Sequence, residues 1–337
     1  MRYQHVAIAG LATALPEAVV TTESIERMLA RSYERLGLGQ GFLEGLTGIR
    51  ARRFWEEGVG PSDAATLAAR EVLARSGVAP EQIGVLVSTS VCKDFLEPSV
   101  ASLVHGNLGL SPTCWNFDVG NACLGFLSGM AMVANMIELG QIHAGLVVAG
   151  EGSRDVTRST VQELMRPGID FARLKDNLAT LTLGSGASAM VLVRADDRPL
   201  PRLRGGTILA ATEFNRLCVG TATKMTTDAA RLLQEGVRLA ERTWTTMCQE
   251  LDVDPATVAE FALHQVGKAN HDAVTGALRI PAERALRIYP ELGNVGAAGV
   301  PLALEQSVAQ QRVRHGDTVA MMGIGSGLNC AMMVVDW

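Results

Sequence analysis

Strand-like and helix-like segments alternate along the chain, and their order repeats in its two halves. Val6-Ala7-Ile8-Ala9-Gly10 reads as a short apolar strand. Ser62 to Ser76 reads as a helix with Ala65, Ala69 and Leu73 on one face. Ile83 to Val87, Leu146 to Ala149 and Ala189 to Val193 read as buried strands. The polar run from Arg194 to Pro201, with Pro199 and Pro201, is the best internal boundary. Beyond it, Ala230 to Leu251 is a long amphipathic helix, and Phe261 to Leu263 and Val319 to Met322 are strand-like again. Such alternation implies an α/β fold.

On each side of the boundary comes a strand, then a turn opening a helix, then a strand ending in a Gly-rich turn. In residues 1–200 these are Ile83–Val87, Asn121-Ala122-Cys123-Leu124-Gly125, and Ala149-Gly150-Glu151-Gly152-Ser153. In residues 201–337 they are Phe261–Leu263, Gly293-Asn294-Val295-Gly296, and Gly323-Ile324-Gly325-Ser326-Gly327. A duplicated unit would bring Cys123 and Asn294 together at a pseudo-twofold axis. Any alternating chain shows echoes of this kind, so order alone leaves duplication open.

Composition narrows the function classes. A chain of 337 residues, 47% hydrophobic and 19% charged, has the length for two units sharing one large core. Aromatics at 4% and a net charge of −5 argue against a nucleic-acid partner. No apolar run reaches the roughly 18 residues that span a bilayer. Ala122 to Ile137 comes nearest, but its Gly, Ser and Asn mark a buried helix. Met1 to His5 leads into a strand without a signal-peptide layout, so a cytoplasmic protein with reduced thiols is expected.

The six cysteines are Cys92, Cys114, Cys123, Cys218, Cys248 and Cys330. None forms a CxxC pair or has a His at zinc-site spacing, so no metal is expected. A cysteine is by default a small buried hydrophobe. Cys123 differs in context. Asn116 to Val119 reads as a strand, and Leu124 opens a helix with Phe126, Met130, Val133 and Ile137 on one face. Cys123 thus sits near a helix N-terminus, where the helix dipole is expected to lower a thiol pKa. The turn resembles a nucleophile elbow, and the backbone N–H of Cys123 is a donor for a developing oxyanion.

His264 follows the buried strand at Phe261–Leu263, where open α/β sheets place their sites. The plain alternative is a hydrogen-bonded core histidine, which is also the reading for His5, His105, His143, His271 and His315. Asn294 opens a small-residue helix, either as an N-cap or as a fixed N–H donor to a carbonyl oxygen. The Gly323–Gly327 turn lacks the Lys-Ser/Thr of a phosphate loop.

Taken together, Asp118-Val119, Ala122-Cys123, Gly125-Phe126, His264-Gln265, Gly293-Asn294 and the C-terminal Gly-rich turn resemble the ketoacyl synthase III branch of the thiolase superfamily. Leu183-Gly184-Ser185-Gly186-Ala187 resembles that family's Gly-rich turn before a strand. Within the branch, four stretches are most similar to the acyl-CoA-condensing enzymes that begin bacterial olefin synthesis. They are Ala51-Arg52-Arg53 with Ser62–Thr66, Leu96-Glu97-Pro98-Ser99, His264-Gln265-Val266, and Gly323 to Cys330.

The resemblance implies an α/β thiolase fold: duplicated βαβαβ halves in five layers, αβαβα. It implies a Claisen condensation of two acyl-CoAs, without decarboxylation, to a 2-alkyl-3-keto acid. Cys123 would carry the acyl group, His264 and Asn294 would hold the donor thioester, and the N–H groups of Cys123 and Ser326 would form the oxyanion hole. Glu97 would reach across a dimer interface as the base. A malonyl donor makes its own carbanion by losing CO2, whereas a plain acyl-CoA must lose an α-proton to a base. Taken by itself, Glu97 reads as a solvated loop carboxylate.

No tightly bound cofactor is expected, and acyl-CoA enters as substrate. Arg202, Arg204 and Lys224 have the charge to meet CoA phosphates, although a solvated surface is the plainer reading. The partner is a second copy of the chain, or a paralogous subunit. Three other readings stay open: a decarboxylative 3-oxoacyl synthase III using malonyl-acyl carrier protein, an acyltransferase or thioesterase that stops at the acyl-cysteine, and a condensing subunit of a β-lactone or other secondary-metabolite pathway.

Overall fold

The structure is a computed structural model, and it describes residues 1–195, 198–221 and 224–337. The first half contains β1 (Val6–Ala14), α1 (Pro61–Ser76), β2 (Ile83–Ser88), β3 (Trp115–Asp118), α2 (Gly125–Glu138), β4 (Ala144–Glu151) and β5 (Gly186–Arg194). The second contains β6 (Arg202–Ala210), α3 (Ala229–Leu251), β7 (Val258–Leu263), α4 (Gly299–Ala309), β8 (Thr318–Gly325) and β9 (Asn329–Asp336). The expected boundary falls between β5 and β6; its Asp196 and Asp197 lie outside the described residues.

The sheet runs β7-β8-β9-β6-β1-β5-β4-β2-β3. Read outward from its middle, each half has the same plan. In the first half β1 pairs antiparallel with β5, β5 antiparallel with β4, and β4 parallel with β2. In the second, β6 pairs antiparallel with β9, β9 antiparallel with β8, and β8 parallel with β7. The halves join through Ala7 opposite Arg202. Within the large sheet they differ at the outer end. The first half adds β3, whereas the second reaches Asn294 through a short helix, Tyr289–Leu292, and a turn.

Helix placement explains helix composition. The central α2 touches β2, β4 and β5 of its own half and β9 of the other. It is therefore apolar nearly all round, with Phe126, Leu127, Met130, Val133 and Ile137 fully enclosed. The other central helix, α4, touches β7 and β8 of its own half and β1 and β5 of the first. The outer helices carry one buried face each. In α1 this face is Ala64, Ala65, Ala68, Ala69 and Val72; in α3 it is Leu239, Ala240, Trp244, Met247 and Leu251. The sequence sets their ends: Pro61 starts α1, Gly77 closes it at φ +67°, and the Asp228 side chain accepts the N–H of Arg231 to cap α3. Outer α1, the first half of the sheet, the central α2 and α4, the second half of the sheet and outer α3 make the five layers that the resemblance implies. No helix among the described residues is long and apolar enough to cross a membrane.

Candidate active site

The duplicated plan brings the two helix-opening turns together. Cys123 occupies a 3₁₀ turn, Ala122–Leu124, between β3 and α2. The turn is tight: Ala122 has φ +45°, rare for a residue with a Cβ, and the Leu124 N–H donates to the Asn121 carbonyl at 3.0 Å. It packs against β8 and against the turn Gly296–Ala298 that follows Asn294. Asn329, at the start of β9, donates from its amide to Asn121 Oδ1 at 3.4 Å. The β8–β9 turn that carries the partly buried Ser326 thus lies beside the Cys123 turn.

Asn294 is buried and held from both sides. Its backbone N–H donates to the Thr182 carbonyl at 2.8 Å, and its carbonyl accepts from Gly184 N–H at 2.9 Å. The expected Leu183–Ala187 turn therefore meets Asn294 directly. The side-chain Oδ1 accepts the N–H of Gly296 at 3.0 Å, which fixes the amide and leaves its NH2 to donate elsewhere. Gly293 is required here: its φ is +66°, and a Cβ would lie 2.5 Å from the Thr182 carbonyl oxygen.

His264 extends the β7–β8 pairing, donating its N–H to the Met322 carbonyl at 2.8 Å. Its ring lines a small cavity with Leu263, Met322, Gly323 and Ile324, and its Nδ1 faces Gly299 at the start of α4 with no hydrogen-bond partner among the described residues. The neighbouring Gln265 is buried. It donates to the Leu286 carbonyl at 2.7 Å and accepts from Ile288 and Tyr289, so it anchors the segment that leads into Asn294. Burial lowers the pKa of His264 to about 4, which keeps the imidazole neutral at pH 7.

One expectation is overturned. The position before α2 was expected to lower the thiol pKa of Cys123. Instead, burial pushes it up to about 12, and the nearby Glu151 carboxylate and Cys218 add to the rise. The backbone N–H of Cys123 opposes the shift. Burial is the largest of these influences, so Cys123 rests as a thiol. Glu151, at the end of β4, is a buried carboxylate of this site that no sequence motif singles out.

Glu97 is not part of the buried cluster. It is exposed and has no hydrogen bond or ion pair among the described residues. Its loop is nonetheless well anchored. The Asp94 carboxylate accepts from the Ser62 N–H and hydroxyl, Lys93 pairs with Asp118, and Asp118 also accepts from the N–H groups of Val100 and Ala101. The tip, Phe95-Leu96-Glu97, faces solvent, with Leu96 fully exposed. Of the basic residues considered for CoA, Arg204 is already engaged with the Leu251 carbonyl and Asp336.

The lowered histidine pKa values predict a pH effect on stability. His264 and His271 are both held near 4 by burial, against an ordinary 6.5. The unfolded chain takes up these protons first as pH falls. Stability is therefore full above about pH 6.5 and declines toward pH 4, by no more than about 3 kcal/mol per histidine. Urea unfolding between pH 7.5 and 5 should show this fall, and His271→Leu should remove about half of it, leaving the His264 share. An unchanged slope in that variant would contradict the assignment.

Comparison with known proteins agrees with this geometry. Residues 117–203 match the 3-oxoacyl-[acyl-carrier-protein] synthase III family, and residues 248–337 match its C-terminal portion. The chain is 42% identical over 338 residues to the acyl-CoA:acyl-CoA alkyltransferase of Xanthomonas campestris, covering 100% of both chains. It is 38% identical over 353 residues to the acyl-CoA:acyl-CoA alkyltransferase of Shewanella oneidensis, again covering 100% of both. The crystal structure of cerulenin-bound OleA from Xanthomonas campestris superposes with a TM-score of 0.98, covering 100% of this chain and 98% of that one at 42% identity. Other crystal structures of that OleA carry a replaced cysteine, histidine or glutamate, the residue types of Cys123, His264 and Glu97. Duplicated fold, paired turns and full-length identity agree: the chain belongs to the 3-oxoacyl-[acyl-carrier-protein] synthase III family of thiolase-fold enzymes.

Proposed function

We propose that the enzyme joins two acyl-CoA molecules, without decarboxylation, through an acyl group carried on Cys123. The observation that supports this best is the packing of the Cys123 turn against the Asn294 turn and against β8, beside His264. The likeness to two acyl-CoA:acyl-CoA alkyltransferases supports acyl-CoA as the substrate of both half-reactions.

The Cys123 sulfur attacks the thioester carbonyl of the first acyl-CoA, and its proton leaves with CoA as the free thiol. The N–H groups of Cys123 and Ser326 hold the oxyanion. The second acyl-CoA then directs its carbonyl oxygen at His264 and Asn294. A neutral imidazole and a fixed amide donate to an enolate oxygen without adding a positive charge to the pocket. The partner subunit supplies its copy of Glu97, which removes the α-proton. The carbanion attacks the Cys123 thioester, the carbon–carbon bond forms, and the carbon–sulfur bond to Cys123 breaks. The thiolate recovers its proton from Glu97. The product is a β-ketoacyl-CoA, and hydrolysis gives the 2-alkyl-3-keto acid.

A base supplied across a dimer fits the exposed end of the sheet. β3 is its edge strand and has no partner on its outer side among the described residues. Trp115 on that strand is 62% exposed, and Phe95 and Leu96 stand out on the Glu97 loop. An open apolar edge favours pairing with another chain. A homodimer through β3 would cover it. The six free cysteines suit a reducing compartment, and the cytoplasm is the one proposed.

The test gives the purified protein acyl-CoA alone, with free CoA and β-keto product measured. Product without any malonyl donor is expected. Product that appears only with malonyl-acyl carrier protein, with CO2 released, would replace this reading with the decarboxylative one. Acyl transfer to an alcohol or amine would replace it with simple acyl transfer.

A further inference from the structure

Glu151 ends β4 and is 3% exposed, yet no Lys, Arg or His pairs with it among the described residues. A buried carboxylate without a cation is costly, and burial raises its pKa. Three backbone N–H groups offset that cost. Oε1 accepts from Val91 at 2.9 Å and from Ala297 at 3.2 Å, and Oε2 accepts from Cys92 at 3.2 Å. Trp55 donates its indole N–H to the Glu151 carbonyl at 3.0 Å, which fixes the strand end itself.

These donors come from two segments far apart in the sequence. Val91 and Cys92 begin the loop that ends at Glu97. Ala297 belongs to the turn whose Gly296 N–H fixes the Asn294 side chain. The approach is close: Gly296 has φ +53°, and a Cβ there would lie 3.0 Å from the Glu151 carboxyl carbon. A single oxygen, Oε1, therefore spans both segments. The same carboxylate helps keep Cys123 protonated, together with Cys218; on the loop side, the ionisable groups bearing on Cys92 are Glu151 and Asp94.

We propose that Glu151 is a positioning residue for carbon–carbon bond formation. In each protomer its Oε1 sets the Asn294 turn, which holds that protomer's own enolate, and the loop whose Glu97 is lent to the partner. The inference rests on the condensation reading above. It separates the two half-reactions, because acyl loading on Cys123 needs neither Asn294 nor Glu97.

The experiment measures both half-reactions in Glu151→Ala, Glu151→Gln and Glu151→Asp enzymes. Acyl loading is read by mass spectrometry after rapid quenching with limiting acyl-CoA; condensation is read by β-keto product. Glu151→Ala should load at least as fast as wild type, because losing the carboxylate lowers the Cys123 thiol pKa, and should condense about 10- to 100-fold more slowly. Glu151→Gln keeps an oxygen that accepts from both Val91 and Ala297, gives up the acceptor for the Cys92 N–H, and should recover part of the condensation rate. Glu151→Asp keeps the charge but is a methylene too short to span both segments, so it should resemble Ala and reads the proposal even if the Ala variant does not fold. Equal losses in both half-reactions, or an Asp variant that condenses like wild type, would overturn the proposal. A wild-type enzyme that loads but never condenses acyl-CoA would instead overturn the condensation reading.

Discussion

Cys123→Ala enzyme is expected to take up no acyl group from acyl-CoA, and its condensation rate should fall by about four to six orders of magnitude. The loss is this large because nothing else in the site can form the thioester that the carbanion attacks. Cys92 is the other thiol beside Glu151, but burial raises its pKa further still and it donates to the Gly152 carbonyl at 3.2 Å. Because the Cys123 thiol is held near 12, free enzyme should also react slowly with iodoacetamide at pH 7. Intact-protein mass spectrometry checks loading directly. An acyl adduct on the Ala variant would move the nucleophile elsewhere.

The second large effect concerns Glu97. Glu97→Ala should load acyl groups on Cys123 at close to the wild-type rate but lose condensation by about 10²- to 10⁴-fold, the usual value of a general base. The acyl-enzyme should then accumulate, and rapid-quench measurements will show it. The split follows from placement. Glu97 stands outside the cluster of Cys123, His264 and Asn294, at the exposed tip of an anchored loop. A residue there has no means to act on the first half-reaction of its own protomer. Condensation at the wild-type rate would exclude Glu97 as the base.

Much of the fold is legible in the sequence because its signals are local. The apolar runs at Ile83–Val87, Leu146–Ala149 and Ala189–Val193 lie within strands buried on both faces, where apolar runs are continuous rather than alternating. The stations of Cys123 and Asn294 can be matched because each opens a helix after a strand or a turn. Their meeting was not readable from order alone, since it depends on the two central helices packing against both halves. The thiol pKa is the clearest failure. A sequence shows the helix that follows Cys123, but not the β8–β9 turn and the Glu151 carboxylate that come from distant segments to enclose it. Glu151 did leave a trace: a lone acidic residue ends an otherwise apolar strand, Leu146-Val147-Val148-Ala149-Gly150-Glu151. A charge in that position is either solvated or bound, and only the packing of Val91, Cys92 and Ala297 around it shows which.

The central claim is that a carbanion made by Glu97 of one subunit is received by Cys123 of the other. A heterodimer of one Glu97→Ala subunit and one Cys123→Ala subunit, co-expressed with two different tags and purified through both, tests it most directly. Each homodimeric variant should condense at a small fraction of the wild-type rate. The heterodimer keeps one site with an intact Cys123 facing an intact Glu97, and should condense acyl-CoA at about half the wild-type rate per dimer. A heterodimer as inactive as its parents would contradict the account.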